Sequence, residues 1–252
     1  MKQKIANILQ NILNIIGYRI IKNSKYIYLV QYDAYISESD KIIINQVRPY
    51  TMTSIPRMLS LKNSVQYIVK NKIPGDIVEC GVWRGGSMML IALQLIELND
   101  TSRNLYLYDT FEGMSQPTDN DLSIYGDNAK TLLNKHNIEE NIWCYASLDE
   151  VKENIKKIGY PMDKVHFIKG KVEDTLSTKT HDSIALLRLD TDWYESTILE
   201  LQKLFPRLVE KGILIVDDYG HWKGARQAVD EYFQNNQTYI HLIDETAILI
   251  QK

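Results

Sequence analysis

Ile184-Ala-Leu-Leu-Arg-Leu-Asp-Thr-Asp-Trp-Tyr-Glu195 is the stretch whose reading decides the fold. Ile184 to Leu189 is a short, mostly apolar run, the pattern of a strand buried on both faces of a parallel sheet. It ends in Asp190-Thr-Asp192, two carboxylates one residue apart where the strand emerges. Gly212-Ile-Leu-Ile-Val-Asp-Asp218 repeats the design, an apolar run closed by a pair of acids. Neighbouring strands lie about 4.8 Å apart, so Asp190, Asp192, Asp217 and Asp218 would crowd one rim. Carboxylates that close repel one another, and some must protonate unless a cation sits among them. The residues therefore predict a divalent metal centre at the carboxyl ends of the strands, where open α/β sheets bind their ligands.

The 252 residues are enough for one α/β domain with a large core. Lys and Arg number 29 against 32 Asp and Glu, a net charge of -3 that argues against a nucleic-acid partner. Cys80 and Cys144 form neither a metal spacing nor a disulfide framework, which fits a reducing, cytoplasmic setting. No run approaches the ~20 apolar residues of a membrane span. Residues 1–25 carry Lys2, Lys4, Arg19, Lys22 and Lys25 and no acid, with Ile5, Ile8, Leu9, Ile12, Leu13, Ile16 and Ile20 at helical spacing. This basic amphipathic stretch reads as a lid or a dimer contact in preference to a membrane-surface helix. The stretch from Tyr26 to Ile55 is irregular, with a polar patch at Ser37-Glu-Ser-Asp40. Thr53-Ser54-Ile-Pro56 then opens a helix. The expectation is a single domain over 53–252 with a helical extension over 1–52.

Within that domain, Asp76-Ile-Val-Glu-Cys80 is the first strand, followed by a glycine turn, Gly81-Val-Trp-Arg-Gly85-Gly86-Ser87, and a helix over Met88 to Leu98. Such a turn lets a ligand approach backbone N–H groups and a helix N-terminus, although the spacing is not a dinucleotide fingerprint. Leu105 to Tyr108 is the second strand, and Asp109 at its end is placed for ribose hydroxyls. Turn, helix, strand and acid in that order predict a nucleoside-bearing cofactor. The polar segment Met114 to Asn128 has the composition of a mobile active-site loop. Val165 to Lys169 is the third strand; Glu195 to Leu208 is a helix closed by Lys211-Gly212. Tyr239 to Ile243 and Thr246 to Ile250 form a closing antiparallel pair. Seven strands result, in a doubly wound, mostly parallel, Rossmann-like α/β sheet.

Each site residue also has a plainer reading. Asp190 or Asp192 can cap the helix that follows, and Asp217-Asp218 can be turn residues. His221 can touch substrate or solvent. Trp193, Tyr194 and Trp222 can stack on a sugar or simply pack. Asp190-Thr-Asp192 is also an Asp-x-Asp motif of the sort that nucleotide-sugar glycosyltransferases use, and this remains the rival function.

Val78-Glu-Cys-Gly-Val-Trp-Arg-Gly-Gly-Ser87, Asp109-Thr-Phe-Glu-Gly113, Gly170-Lys-Val-Glu-Asp-Thr175, Leu189-Asp-Thr-Asp-Trp-Tyr-Glu-Ser-Thr197 and Asp217-Asp-Tyr-Gly-His-Trp222 together resemble the macrocin O-methyltransferase (TylF/MycF-like) family. The resemblance runs in family order from about Thr53 to the C-terminus. It implies a class I methyltransferase that uses S-adenosylmethionine and Mg²⁺ to methylate a sugar hydroxyl on a glycan or small molecule. It further implies that Asp190, Asp217 and Asp218 are metal ligands and that Asp192 is the general base. Glu79, Gly81, Val82, Gly85, Gly86, Ser87, Asp109 and Asp174 would hold the cofactor, with Tyr194, His221 and Trp222 near the acceptor. A cation lowers the pKa of a bound hydroxyl, and a free carboxylate removing the proton adds typically 10²–10⁴-fold.

Overall fold

The structure is a computed structural model that describes residues 36–138, 140–178, 181–235 and 238–252. The basic stretch over residues 1–25 lies outside the described residues. Two compact units divide between Asn45 and Gln46. Helix α1 (Glu38–Val47) opens on a capping box. Ser37 Oγ accepts the Asp40 N–H at 3.2 Å, and the Asp40 carboxylate accepts the Ser37 N–H at 2.7 Å. The irregular reading of this segment is thereby corrected. Ile42-Ile43-Ile44 is a β-branched run that disguises a helix, and the cap supplies what propensity lacks.

In the second unit, α2 (Ile55–Lys70) begins as expected, with Ser54 accepting the Arg57 N–H and Pro56 in the first turn. There follow β1 (Asp76–Cys80), α3 (Gly86–Glu97), β2 (Leu105–Asp109), α4 (Ala129–Asn134), α5 (Leu148–Lys156), β3 (Val165–Lys169) and a single turn, α6 (Val172–Thr175). The chain continues through β4 (Ile184–Leu189), α7 (Tyr194–Leu204), β5 (Leu208–Val216), α8 (Lys223–Phe233), β6 (His241–Leu242) and β7 (Ile248–Gln251). The sheet order is β3-β2-β1-β4-β5-β7-β6, with β7 antiparallel to both of its neighbours and the rest parallel. This is the doubly wound, seven-stranded fold that the strand pattern predicts. No helix among the described residues is long and apolar enough to cross a membrane, and Cys80 and Cys144 are not joined in a disulfide.

Strand periodicity sorts the core. Val78, Tyr108, Leu187 and Val216 cluster with Leu201 of α7 and Val229 of α8. The alternate positions, Glu79 and Arg188 among them, point to the other face and are paired in register across β1 and β4. The chain reverses its winding between these two strands, and there the backbones nearly touch. Asp190 N–H donates to Cys80 O at 2.8 Å, and a Cβ on Gly81 would lie 2.0 Å from the Asp190 carbonyl oxygen. With φ at +80° as well, only glycine fits.

Two further expectations change. The helix over Glu195 to Leu208 stops at Leu204, passes through a 3₁₀ turn at Phe205–Arg207, and Leu208 already belongs to β5. Pro206 denies the helix a donor. Lys211-Gly212 lies inside β5, where Ile184 faces Leu208 but Leu186 faces Ile213. Its positive φ at Lys211 belongs to that bulge and not to a helix end.

The segment Met114 to Asn128, expected as a mobile loop, is pinned. Asp121 is fully buried; its Oδ1 accepts the Tyr194 N–H at 2.9 Å, and its Oδ2 accepts the Thr118 N–H at 2.6 Å. Ser123 bridges to Trp222. A Cβ on Gly224 would meet Asp121 Oδ1 at 2.3 Å, so the loop seats where that residue has no side chain. Asp121→Ala should orphan the first turn of α7 and cost about 1–3 kcal/mol. Urea unfolding measures this; an unchanged midpoint would show that the loop is held by something else.

Candidate active site

The site is built on a guanidinium inside the sheet. Arg188 is 3% exposed and Glu79 1%. Arg188 Nη1 donates to Glu79 Oε1 at 2.7 Å and to Asp190 Oδ2 at 2.8 Å, while Nη2 donates to Asp217 Oδ1 at 2.6 Å. One side chain on β4 thus ties acids on or just beyond β1, β4 and β5. Arg57, from the first turn of α2, binds the other oxygen of Asp217 and reaches Asp244 Oδ2 at 3.0 Å. Ser54 also bonds Asp244, which locks that end of α2 to the turn before β7.

Beyond this staple, Asp190, Asp192 and Asp218 present carboxylate oxygens that all lie within 4.8 Å of one another. Asp192 has φ +70°, a left-handed conformation that aspartate tolerates better than most residues. It does not cap α7; the N-cap position is Trp193, without a side-chain bond. Burial raises the Asp190 and Asp218 carboxyls well above their ordinary range, and repulsion from the neighbouring acids adds to it. Burial pushes Asp192 up to about 7 and Glu79 up to about 8, Arg188 opposing the latter shift. Two guanidiniums face six carboxyl groups here, Glu79, Asp190, Asp192, Asp217, Asp218 and Asp244. A compact set of hard oxygen donors short of positive charge suits a divalent cation of the Mg²⁺ type. Of the ligands implied by the resemblance, Asp190 and Asp218 are in this group, whereas Asp217 has both oxygens on arginines and Asp192 stands in the group instead.

These acids form one side of a cavity of about 320 Å³ whose other side is the glycine turn. Gly81, Val82, Gly86 and Ser87 line it, as does Asp109. Asp109 also straps the turn: its carboxylate accepts the N–H groups of Val82 at 2.6 Å, Trp83 at 3.1 Å and Phe111 at 2.7 Å. Those bonds offset the burial that raises its pKa. Gly86 packs so closely that a Cβ would lie 2.5 Å from the Tyr50 carbonyl oxygen.

Other sequence candidates fall off the cavity wall. Glu79 is beneath the floor, committed to Arg188. Gly85 caps α3 with φ +89° and faces Val151 and Ile155. Asp174 is exposed on α6, and the wall there is formed by Lys171 and Glu173. Tyr194 donates its hydroxyl to Glu231 at 2.6 Å on the surface. Trp222 is buried edge-on against Trp193, with ring centroids 5.0 Å apart. Only His221 of the three acceptor candidates lines the cavity, kept toward its neutral form by burial and by Arg57. Arg57 and Arg188 were missed from sequence. The signal was present for Arg188, as one charged residue in an otherwise apolar strand, matched by Glu79 in β1.

A carboxyl whose pKa rises on folding takes up a proton at intermediate pH. The stability this contributes is complete below the ordinary carboxylate range and is lost as pH climbs through the raised values, here about 7 for Asp192 and about 8 for Glu79. With chelator present, the melting temperature should therefore fall between about pH 5 and about pH 8. A flat profile would mean that these acids are already ionised in the fold.

The profile of a known family, macrocin-O-methyltransferase (TylF), matches residues 39–252. An 8-demethyl-8-(2,3-dimethoxy-α-L-rhamnosyl)-tetracenomycin-C 4'-O-methyltransferase of Streptomyces olivaceus is 34% identical over 184 residues, 73% of this chain and 67% of the relative. A mycinamicin III 3''-O-methyltransferase of Micromonospora griseorubida is 32% identical over 183 residues, 73% of this chain and 70% of the relative. Among solved structures, the O-methyltransferase NovP superposes with a TM-score of 0.69 at 31% identity, over 81% of this chain and 82% of that one.

Proposed function

Because the chain belongs to the macrocin-O-methyltransferase family, we propose that this O-methyltransferase transfers the methyl group of S-adenosylmethionine to a sugar hydroxyl of a small glycosylated acceptor or glycan, with Mg²⁺ as cofactor. The observation that carries the reading is the arrangement of the cavity. A glycine turn strapped by Asp109 faces a group of buried carboxylates across the switch point of the sheet. The names of the relatives, which methylate sugar-bearing natural products, support the acceptor class.

On this reading the backbone N–H groups at the start of α3 receive the cofactor's carboxylate, since a helix N-terminus favours negative charge. Asp109 keeps the turn in shape and offers its remaining lone pairs to the ribose. Asp190 and Asp218 would hold the cation, joined by Asp217 in exchange for its contact with Arg57. When bound, the cation would acidify and orient an acceptor hydroxyl. Asp192 takes the hydroxyl proton; its raised pKa suits a base that works near neutral pH. When bound, S-adenosylmethionine would supply the methyl group to the acceptor oxygen that Asp192 has deprotonated, with S-adenosylhomocysteine as the by-product. His221, on the wall beside Asp218, is placed to contact the acceptor sugar.

Asp192→Asn should slow single-turnover methyl transfer by about 10²–10⁴-fold while leaving S-adenosylhomocysteine affinity near wild type. Excess Mg²⁺ should not rescue it, whereas it should recover part of the rate of Asp218→Ala. Wild-type transfer by Asp192→Asn would remove the general base and leave the cation site standing. S-adenosylhomocysteine should also raise the melting temperature and UDP-sugars should not, because only a ligand of the native state stabilises it.

A further inference from the structure

Glu200 lies in the middle of α7 with no exposed surface, and the chemistry above does not use it. Its Oε2 accepts the Thr191 hydroxyl at 3.1 Å. The Cys80 thiol is hydrogen-bonded to the same carboxyl, whose Oε1 accepts no N–H or O–H among the described residues. A carboxyl in such a place costs more than the leucine that the same helix face carries at Leu201 and Leu204. What it holds is the residue between two acids of the site. Asp190 is fixed from one side by its N–H on Cys80 O at 2.8 Å. Trp193 is fixed from the other by its indole N–H on Ser115 O at 3.1 Å. Between them the chain passes through Asp192 at φ +70°, and Thr191 is the point where helix α7 grips the turn from below.

We propose that Glu200 is a positioning residue: through the Thr191 hydroxyl it fixes the 190–192 turn so that the Asp190 and Asp192 carboxylates face the same point in the cavity. The inference rests on the role given to Asp192 in the proposed function. It assigns no proton transfer to Glu200, so a neutral side chain of the same shape serves equally. Glutamine can still accept the threonine hydroxyl; leucine cannot.

The test uses the full-length protein with Glu200→Leu, Glu200→Gln, Thr191→Val and the double variant Thr191→Val/Glu200→Leu. Glu200→Leu and Thr191→Val should each lower the single-turnover rate by about ten- to a hundredfold, with S-adenosylhomocysteine affinity unchanged by calorimetry. The double variant should be no slower than either single one, because both remove one interaction. Glu200→Gln should recover most of the rate. Additive losses, or a wild-type rate in Glu200→Leu, would overturn the proposal. If Glu200→Leu does not fold, Thr191→Val carries the same expectation from the cavity side. Mn²⁺ affinity, read by electron paramagnetic resonance, separates this inference from the function it rests on. Should the wild-type protein methylate no sugar, weaker Mn²⁺ binding in Glu200→Leu and Thr191→Val but not in Glu200→Gln would still support the positioning role. Equal affinity in all of them would overturn it.

Discussion

Arg188 is the constraint on which the rest of the site depends. A guanidinium buried to 3% exposure between strands is tolerable only with its donors satisfied, and it meets Glu79, Asp190 and Asp217. The planar fork of arginine reaches three acids in fixed directions, which a lysine ammonium on a flexible stem would not do. The acids in turn cannot stay ionised together without it. The staple therefore sets the relative positions of the carboxyl ends of β1, β4 and β5 before any ligand arrives. Removing one member of such a set leaves buried charge uncompensated, which is far more damaging than replacing the whole set with apolar residues.

The staple leaves three carboxylates turned toward the cavity and short of positive charge. Repulsion within that group costs the fold stability as pH rises, and the proposed cation would relieve it. Function and fold pull in opposite directions at these residues, as active sites commonly arrange. The opposing wall at the glycine turn carries a single acid, Asp109, by contrast. Its turn is fixed by Asp109 and by glycines at positions where a Cβ would strike backbone. The glycine turn and the group of acids are thus kept on separate strands and made to face each other where the winding of the sheet reverses.

Met114 and Ser115 border the cavity at the start of the 114–128 segment, whose polar composition suggests mobility but whose buried Asp121 bonds the first turn of α7 and anchors the segment instead. The same helix carries Glu200, so α7 touches the 190–192 turn through Thr191 and the 114–128 segment through its first turn. Its position is coupled to both.

Much was legible without coordinates. Apolar runs of strand length, each closed by an acid or a glycine, determined the doubly wound sheet, the rim at which ligands gather and the identity of the acids there. Family motifs carried the chemistry. These are local signals: periodicity, propensity and residue type along a few positions. What the sequence could not decide was which acids share a partner. Asp217 and Asp218 are adjacent in the chain, yet one is held by two arginines and the other faces the cavity. Asp174 and Glu173 are adjacent too, and only Glu173 is on the wall. Likewise α1 was hidden because its cap is a reciprocal contact and not a propensity, and Arg57 because its partners lie 160 and more residues away. Directions of side chains at a sheet's edge depend on twist, register and the helices packed behind them. Those quantities exist only once distant segments have met, so the tertiary structure alone decides them.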